Sequence, residues 1–300
     1  MIFFKRIFYF LFTNILVLLT VTIITKMLGL ERYLTPAGIN YNSLMAYCLI
    51  WGFAGAFISL FLSKFMAKMM MGVKIVDERS SYSHVVEMVH RYAKIAGIKN
   101  PEVGVYESPD PNAFATGATK NSSLVAVSTG LLQTMNKEEV EGVVAHEVAH
   151  IANGDMVTMT LIQGVVNAFV LFFAKIAAFA LSKALSGNSD REEQSGGGMN
   201  HMVFMVTDIV FQILFGILGS IVVAYFSRLR EFRADAGGAK YAGREKMIAG
   251  LRKLQRMYEQ MPVEEATNFS TMKISSKSNM LKFFATHPPL ADRIKALGGQ

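Results

Sequence analysis

The sequence predicts an α+β protein with four helical membrane segments and a domain outside the membrane that is mostly helical with a small β-sheet. Three observations support this class: an apolar composition, four uncharged blocks of membrane-spanning length, and short strand-like runs between turn residues. Hydrophobic residues make up 52% of the 300 residues and charged residues only 18%, whereas soluble domains carry about 25% charge. The composition excludes a disordered chain, and a single cysteine, Cys48, excludes a disulfide scaffold.

Four blocks without a charged residue are long enough to cross a bilayer, at residues 7–25, 44–62, 156–174 and 209–227. Each has about 19 residues, which as a helix matches the roughly 30 Å of a hydrocarbon core. Buried helices of a large soluble protein are the alternative, but four such blocks in one short chain argue against them. The first block follows Lys5 and Arg6, as in a signal peptide. Because no small-residue cleavage pattern comes after it, we expect an uncleaved anchor.

The distribution of lysine and arginine predicts the orientation of these segments, since cytoplasmic flanks carry the excess of positive charge. Basic residues cluster before the first block, after the second and after the fourth: Lys5, Arg6, Lys64, Lys68, Lys74, Arg228, Arg230 and Arg233. Both termini and the two long polar stretches are therefore expected in the cytoplasm. The net charge of +7 then reflects topology, and no motif indicates nucleic-acid binding.

The same pattern predicts how the chain is divided. Two membrane helices occupy residues 1–63, and a membrane hairpin occupies residues 156–227. The cytoplasmic domain is then made of two parts, residues 64–155 and residues 228–300.

Two charged residues border the third and fourth blocks. Lys175 follows the third block and Asp208 opens the fourth, so in an up-and-down hairpin both lie towards its extracytoplasmic end. An ion pair would offset the cost of an unpaired charge in the membrane, which is at least a few kcal/mol. The alternative is that Lys175 extends alone to the membrane interface. The sequence favours neither.

Outside the membrane segments, the sequence predicts a helix over residues 81–96, three strands, and a second helix. Turn residues separate the strands, which are expected at 102–107, 113–119 and 124–128. The second helix covers residues 136–152, with Asn136 as its N-cap and Glu139 completing a capping box. Asn153-Gly154 is its predicted stop.

This second helix contains His146-Glu147-Val148-Ala149-His150, the H-E-x-x-H pattern of zinc proteases. Two imidazoles four residues apart project from one helix face and can converge on a single ion. Glu147 is placed to reach a water molecule at that ion without being a ligand. A pair of solvated or core histidines is the alternative. Apolar neighbours on the same helix indicate that it is buried, which suits a dry site.

A catalytic zinc ion needs a third protein ligand and an open position. The residues directly after His150 do not continue the pattern with another histidine. Glu231 and Asp235, four residues apart just beyond the fourth block, place two carboxylates on one helix face. One carboxylate can bind zinc while the other orients a ligating histidine through its second ring nitrogen. The alternative is a solvated helix beside the membrane, on which the two carboxylates only balance the charge of neighbouring arginines.

Four separated motifs occur in the order PNAFATG at 111–117, AHEVAHIANGD at 145–155, SRLREFRAD at 227–235 and THPPLADR at 286–293. With the four apolar segments, they make the chain resemble the HtpX family of bacterial membrane zinc metalloproteases, which are relatives of the Ste24 CAAX proteases. The resemblance covers essentially the whole chain. It implies an integral inner-membrane endopeptidase with a gluzincin-like catalytic domain in the cytoplasm, acting in quality control of damaged or misassembled membrane proteins.

The resemblance also implies roles for individual residues. His146 and His150 resemble ligands of one Zn²⁺ ion per chain, and Glu231 resembles the third ligand. Glu147 resembles the general base, and Asp235 resembles a residue that orients a ligand from behind. The implied partners are the lipid bilayer and misfolded membrane-protein substrates, and no feature of the sequence predicts an oligomeric state.

Three further residues resemble family positions near the substrate or the transition state: Asn112, His287 and Arg293. Asn112 would hold the substrate backbone, and the alternative is a simple turn residue. His287 would contact substrate, and the alternative is an exposed loop histidine. The strands that follow Asn112 are expected to offer an edge to which an extended peptide can add.

Two other classes of protein compete with the protease, and a third alternative is a protease of different specificity. A zinc-stabilised membrane scaffold would more often use four side-chain ligands, commonly cysteine, and would have no use for a glutamate at position 147. A transporter or channel is disfavoured because the charged motifs lie outside the membrane segments. Processing of prenylated CAAX proteins would need a roomy chamber in the membrane, which four segments do not obviously supply.

Overall fold

The computed structural model describes residues 38–186, 197–260 and 285–298, together with scattered residues between 19 and 35. The described chain is mostly helical with a small mixed sheet, which confirms the predicted balance of helix and strand. The helices are α1 (Tyr41–Met70), α2 (Ser83–Ala96), α3 (Thr129–Thr134), α4 (Lys137–Asn153), α5 (Asp155–Ser186), α6 (Gly197–Ala242), α7 (Arg244–Gln260) and α8 (Leu290–Ala296). The strands are β1 (Leu34–Thr35), β2 (Gly38–Ile39), β3 (Lys74–Val76), β4 (Glu102–Tyr106), β5 (Ala113–Thr119) and β6 (Ser122–Ser128).

Three of the described helices are long and apolar enough to cross a membrane. They are Tyr41–Met70, Asp155–Leu185 and His201–Ala242, and they contain the second, third and fourth uncharged blocks. The first block, residues 7–25, lies largely outside the described residues. The structure therefore supports three of the four predicted segments as apolar helices of sufficient length.

The described residues form two compact units. One, here called the sheet unit, contains Ser59–Thr160 and the described residues from Ala224 onwards. The other, here called the apolar unit, contains the described part of Thr13–Ile58 together with Leu161–Val223. Helices α1, α5 and α6 each contribute residues to both units, because each helix continues past the boundary.

The sheet unit is built on four strands in the order β3-β4-β6-β5. Strands β4 and β6 are parallel, and the two outer strands are antiparallel to their neighbours. Helices α2 and α4 pack with this sheet into one apolar core that includes Val89, Val125 and Val144. The predicted strands are present, although β6 begins two residues earlier than expected. Strand β3 was not predicted, because two of its three residues are exposed and show no apolar alternation.

Helix α4 has the capping box and stop that its sequence predicts. The Asn136 side chain accepts a hydrogen bond from Glu139 N at 3.0 Å, and the Glu139 carboxylate accepts one from Asn136 N at 2.8 Å. Gly154 ends the helix in the left-handed region at φ 73°. Close backbone contact fixes α4 against α7, because a Cβ atom at Gly142 would lie 2.2 Å from Lys246 O.

In the apolar unit, Lys175 and Asp208 form an ion pair. Lys175 Nζ lies 3.0 Å from Asp208 Oδ2, and both residues are buried. Gln212 donates a second hydrogen bond to the same carboxylate oxygen at 2.9 Å. Of the two alternatives that the sequence left open, the structure therefore shows the pair.

Helices α1 and α5 approach closely at a glycine, which gives a matched test of packing in the apolar unit. A Cβ atom at Gly52 would lie 2.6 Å from Ala168 N and 2.7 Å from Gly164 O, whereas one at Gly55 would meet nothing within 4 Å. We expect Gly52→Ala to lower the free energy of unfolding in detergent by about 1–3 kcal/mol. Gly55→Ala should be neutral or raise it by up to about 1 kcal/mol. Equal thermal melting of the two variants would contradict this packing.

Candidate metal centre

Helix α4 presents His146 and His150 on one face, one turn apart. Both residues are buried, and their ring centroids are 4.6 Å apart. The two Nε2 atoms lie 3.1 Å from each other. Two nitrogen lone pairs at this distance would repel, so the arrangement favours a cation or a proton between them.

Glu231 on α6 brings a carboxylate to the same point. Its Oε2 atom is 3.5 Å from His146 Nε2, and its Oε1 atom is 3.4 Å from His150 Nε2. The residue is only 1% exposed, and Oε1 has no hydrogen-bond partner among the described residues. A buried carboxylate oxygen is rarely left without a partner, so this atom is a candidate metal ligand.

The three side chains lie close to the spacing of ligands to one cation. Nitrogen and oxygen ligands 2.0–2.2 Å from a common centre at tetrahedral angles are about 3.3–3.6 Å apart. Here the two Nε2 atoms are 3.1 Å apart, and each lies 3.4–3.5 Å from a different oxygen of the Glu231 carboxylate. His146, His150 and Glu231 form a group of potential ligands within the described part of the chain. Two imidazoles and one carboxylate, with a cavity beside them, match the ligand set of catalytic zinc sites.

Each histidine contacts a separate aspartate through its other ring nitrogen. His146 Nδ1 lies 2.9 Å from Asp235 Oδ1, and His150 Nδ1 lies 2.7 Å from Asp155 Oδ2. Both aspartates are buried. These contacts favour the tautomer that leaves each Nε2 free to bind a cation.

Asp155 was not identified as a site residue from the sequence, although it closes the motif AHEVAHIANGD. It lies five residues after His150 and directly after the helix stop, at the first position of α5. The available signal was an aspartate that follows a candidate ligand histidine at such short spacing. The sequence alone does not show that the turn at Gly154 brings the carboxylate back to the imidazole.

Arg293 on α8 and His287, which lies just before α8, both contact Glu231. Arg293 forms a bidentate ion pair with Asp235. Its Nε atom donates to Oδ2 at 2.8 Å, and one terminal nitrogen donates to Oδ1 at 2.6 Å. Its other terminal nitrogen lies 3.3 Å from Glu231 Oε2. His287 Nδ1 is 3.0 Å from the same Glu231 oxygen. Arg293 is buried, whereas His287 is partly exposed.

The opposite charges of Glu231 and its histidine neighbours stabilise the ionised forms of these groups despite their burial. Burial alone would raise the pKa of Glu231, but close contacts with His146, His150 and His287 lower it well below its ordinary value. Burial disfavours the protonated form of His150, but contacts with Asp155 and Glu231 outweigh it and raise the pKa to about 9, so a cation that binds Nε2 would displace a proton from it. Glu231 is therefore a carboxylate at neutral pH, as a metal ligand must be.

A cavity of about 310 Å³ opens beside the three donors. Its polar wall includes Glu147, which is partly exposed. Asn112 and the first residues of β5 form part of another wall. Among the described strands β5 pairs only with β6, so its second edge has no strand partner there. Apolar side chains complete the lining, namely Leu131, Val143, Met156, Met247, Leu251 and Leu254.

The structure thus brings together every site residue that the sequence indicated. Seven of them line the cavity: Asn112, His146, Glu147, His150, Glu231, His287 and Arg293. Asp235 lies behind His146 instead. Ser128 holds the backbone of Asn112 through two hydrogen bonds of 2.9 Å. Ser128 N donates to the carbonyl oxygen of Asn112, and Asn112 N donates to the hydroxyl oxygen of Ser128.

Comparisons with known proteins agree with this arrangement. Residues 80–300 match the sequence model described as Peptidase family M48. The chain is 51% identical over 296 residues to "Protease HtpX" of Hydrogenovibrio crunogenus (strain DSM 25203 / XCL-2), covering 98% of this chain and 96% of the relative. It is 48% identical over 299 residues to "Protease HtpX" of Thioalkalivibrio sulfidiphilus (strain HL-EbGR7), covering 98% of both.

A solved structure shows a similar fold. The crystal structure of S. mikatae Ste24p superposes with a TM-score of 0.60 at 17% sequence identity. The match covers 98% of this chain but only 66% of that structure, so the chain spans about two thirds of its length. This likeness supports the fold and carries no information on substrates.

Proposed function

The chain belongs to peptidase family M48 and is a metalloprotease, and from this premise we propose that its metal is zinc, one ion per chain. We further propose that it hydrolyses damaged or misassembled membrane proteins at the cytoplasmic face of the bacterial inner membrane. Its relatives' name and its apolar helices indicate a membrane protease. The bias of Lys and Arg towards the flanks of the catalytic stretches supports the cytoplasmic orientation.

One observation carries the zinc assignment. His146, His150 and Glu231 converge with separations of 3.1–3.5 Å, and Glu231 Oε1 lacks a hydrogen bond among the described residues. These three residues would hold the ion. When bound, zinc lowers the pKa of water and polarises a carbonyl group.

Glu147 is the proposed general base. It is adjacent to the first ligand on α4 and lines the cavity. Its carboxylate would accept a proton from the attacking water and then deliver that proton to the leaving amine. A non-catalytic zinc scaffold would need neither an open cavity nor a partly exposed carboxylate at this position, so both features favour the enzyme.

The unpaired edge of β5 is the proposed binding surface for substrate. An extended peptide that pairs with β5 would run past the three ligands, because Ala113, Phe114 and Ala115 line the same cavity. Pairing through backbone hydrogen bonds binds a substrate peptide without strong selectivity for its side chains, which suits a protease that acts on misfolded proteins. The Asn112 side chain, at the start of β5, would hold the substrate backbone.

His287 and Arg293 take different roles in this proposal. His287 is partly exposed in the cavity and is placed to donate a hydrogen bond to substrate as charge develops. Arg293 is buried and bound to Asp235 through two hydrogen bonds. Its role is therefore to hold Asp235 against His146, more than to contact substrate.

Metal removal tests the proposal directly. We would purify the whole chain in detergent, count zinc per chain, and follow cleavage of β-casein by mass spectrometry of the new termini. We expect about one zinc per chain, loss of cleavage on treatment with 1,10-phenanthroline, and recovery with equimolar Zn²⁺ but not Mg²⁺. Cleavage that persists after the metal has been removed would overturn the zinc mechanism.

A further inference from the structure

The two histidines are each backed by a chain of two charged side chains. Asp235 contacts His146 Nδ1 and is bound in turn by Arg293, one terminal nitrogen of which also lies 3.4 Å from the His146 ring. Behind His150 lies Asp155, whose Oδ2 atom is 2.7 Å from the imidazole Nδ1 and whose Oδ1 atom is 3.1 Å from Arg233. The same order of imidazole, carboxylate and guanidinium therefore occurs twice around one cluster.

The two chains differ in how firmly the arginine is held. Arg293 has a side chain only 8% exposed and binds its aspartate through two nitrogens, whereas the side chain of Arg233 is 61% exposed and makes one contact. Asp155 itself is 1% exposed. A buried carboxylate needs partners for its charge, and within the described part of the chain Asp155 forms ion pairs with His150 and Arg233.

We propose that Asp155 is the positioning residue for His150 and that Arg233 acts through Asp155. This inference rests on the proposed zinc site. Asp155 accepts a hydrogen bond from the Nδ1–H group of His150, which fixes the tautomer and the ring orientation and makes the opposite ring nitrogen a more basic ligand. Arg233 neutralises the second oxygen of Asp155 and so holds the carboxylate in the rotamer that reaches His150.

A purely local role for Asp155 explains less of the geometry. An acidic residue in the first turn of a helix can stabilise that helix through its dipole, and Asp155 is the first residue of α5. Such a role requires no particular side-chain partner. Here one carboxylate oxygen contacts His150 and the other contacts Arg233, as the positioning role requires.

Zinc affinity, measured by competition with a chelator in detergent, separates the two roles. We expect Asp155→Asn to weaken zinc binding about 10-fold and Asp155→Ala up to about 100-fold, the range seen when a ligand loses its partner. Arg233→Gln should weaken it about two- to five-fold, because its contact is largely exposed. That smaller effect should shrink in 1 M salt. Lys240→Gln, an exposed cation on the same helix, should leave the affinity unchanged.

The double variant Asp155→Asn/Arg233→Gln tests whether Arg233 acts through Asp155. We expect it to bind zinc no more weakly than Asp155→Asn alone, because Arg233 affects His150 only through Asp155 and that contact is already lost. Additive losses would refute the link to Arg233. The positioning role is refuted if the wild-type chain binds zinc and Asp155→Ala binds it equally tightly. It is refuted equally if the only effect of Asp155→Ala is a lower melting temperature of the metal-free variant. If wild-type chain binds no zinc, the proposed function fails instead.

Discussion

Glu147→Gln is expected to remove nearly all peptide hydrolysis while the protein still binds one zinc ion per chain. The amide cannot accept a proton from water, whereas its shape is close to that of the carboxylate. Proton transfer by a positioned side chain contributes about 10²- to 10⁴-fold to rate, so kcat should fall within or beyond this range. KM should change little, because Glu147 is not proposed to bind substrate.

Initial rates of β-casein cleavage and zinc content, measured on the same preparations, check this result. Glu138→Gln is the matched control, since it makes the same change at an exposed position on the same helix. We expect the control to keep wild-type activity. Substantial turnover by Glu147→Gln at normal zinc content would exclude Glu147 as the base. Loss of zinc from that variant would mean that Glu147 supports the metal rather than the proton transfer.

The sequence predicts the part of the site that depends on local signals. The capping box at Asn136 and the stop at Gly154 bound α4 correctly, because caps are made by residues a few positions apart. The spacing of four residues then places His146 and His150 on one face. The same spacing places Glu231 and Asp235 together on α6, although it does not say which of them is the ligand.

The remaining features depend on tertiary contacts that no local pattern encodes. Asp155 reaches His150 because Gly154 adopts φ 73° between the two helices and turns the chain back. The pair Lys175–Asp208 depends on the register of α5 against α6 in the apolar unit. Strand β3 is held by its pairing with β4, since its own three residues carry little apolar signal.

Two of the apolar helices carry site residues directly. Asp155 is the first residue of α5, and Glu231 and Asp235 lie on α6 beyond its apolar block. A ligand on a rigid helix is positioned more narrowly than one on a loop. Helices α4, α5 and α6 thus supply the two histidines, the three carboxylates behind and beside them, and Arg233, while Arg293 comes from α8.

Glu231→Ala is expected to cause the largest loss of zinc. It removes the proposed third ligand, and it also removes a buried anion from between His146, His287 and Arg293. We expect zinc affinity to fall by more than the roughly 10- to 100-fold typical of a lost ligand partner, with no measurable hydrolysis. Breaking a buried charge cluster costs about 3–5 kcal/mol, so the metal-free protein should also melt at a lower temperature.

The two effects of Glu231→Ala can be separated with Glu231→Gln. Glutamine keeps the size of the side chain, so the metal-free variant should melt closer to wild type, yet it lacks the charge that a zinc ligand supplies and should bind zinc weakly. Glu245→Gln changes an exposed glutamate on α7 and should match wild type in chelator competition and in melting. If Glu231→Ala and Glu231→Gln both bind zinc as tightly as wild type, the third ligand is another residue.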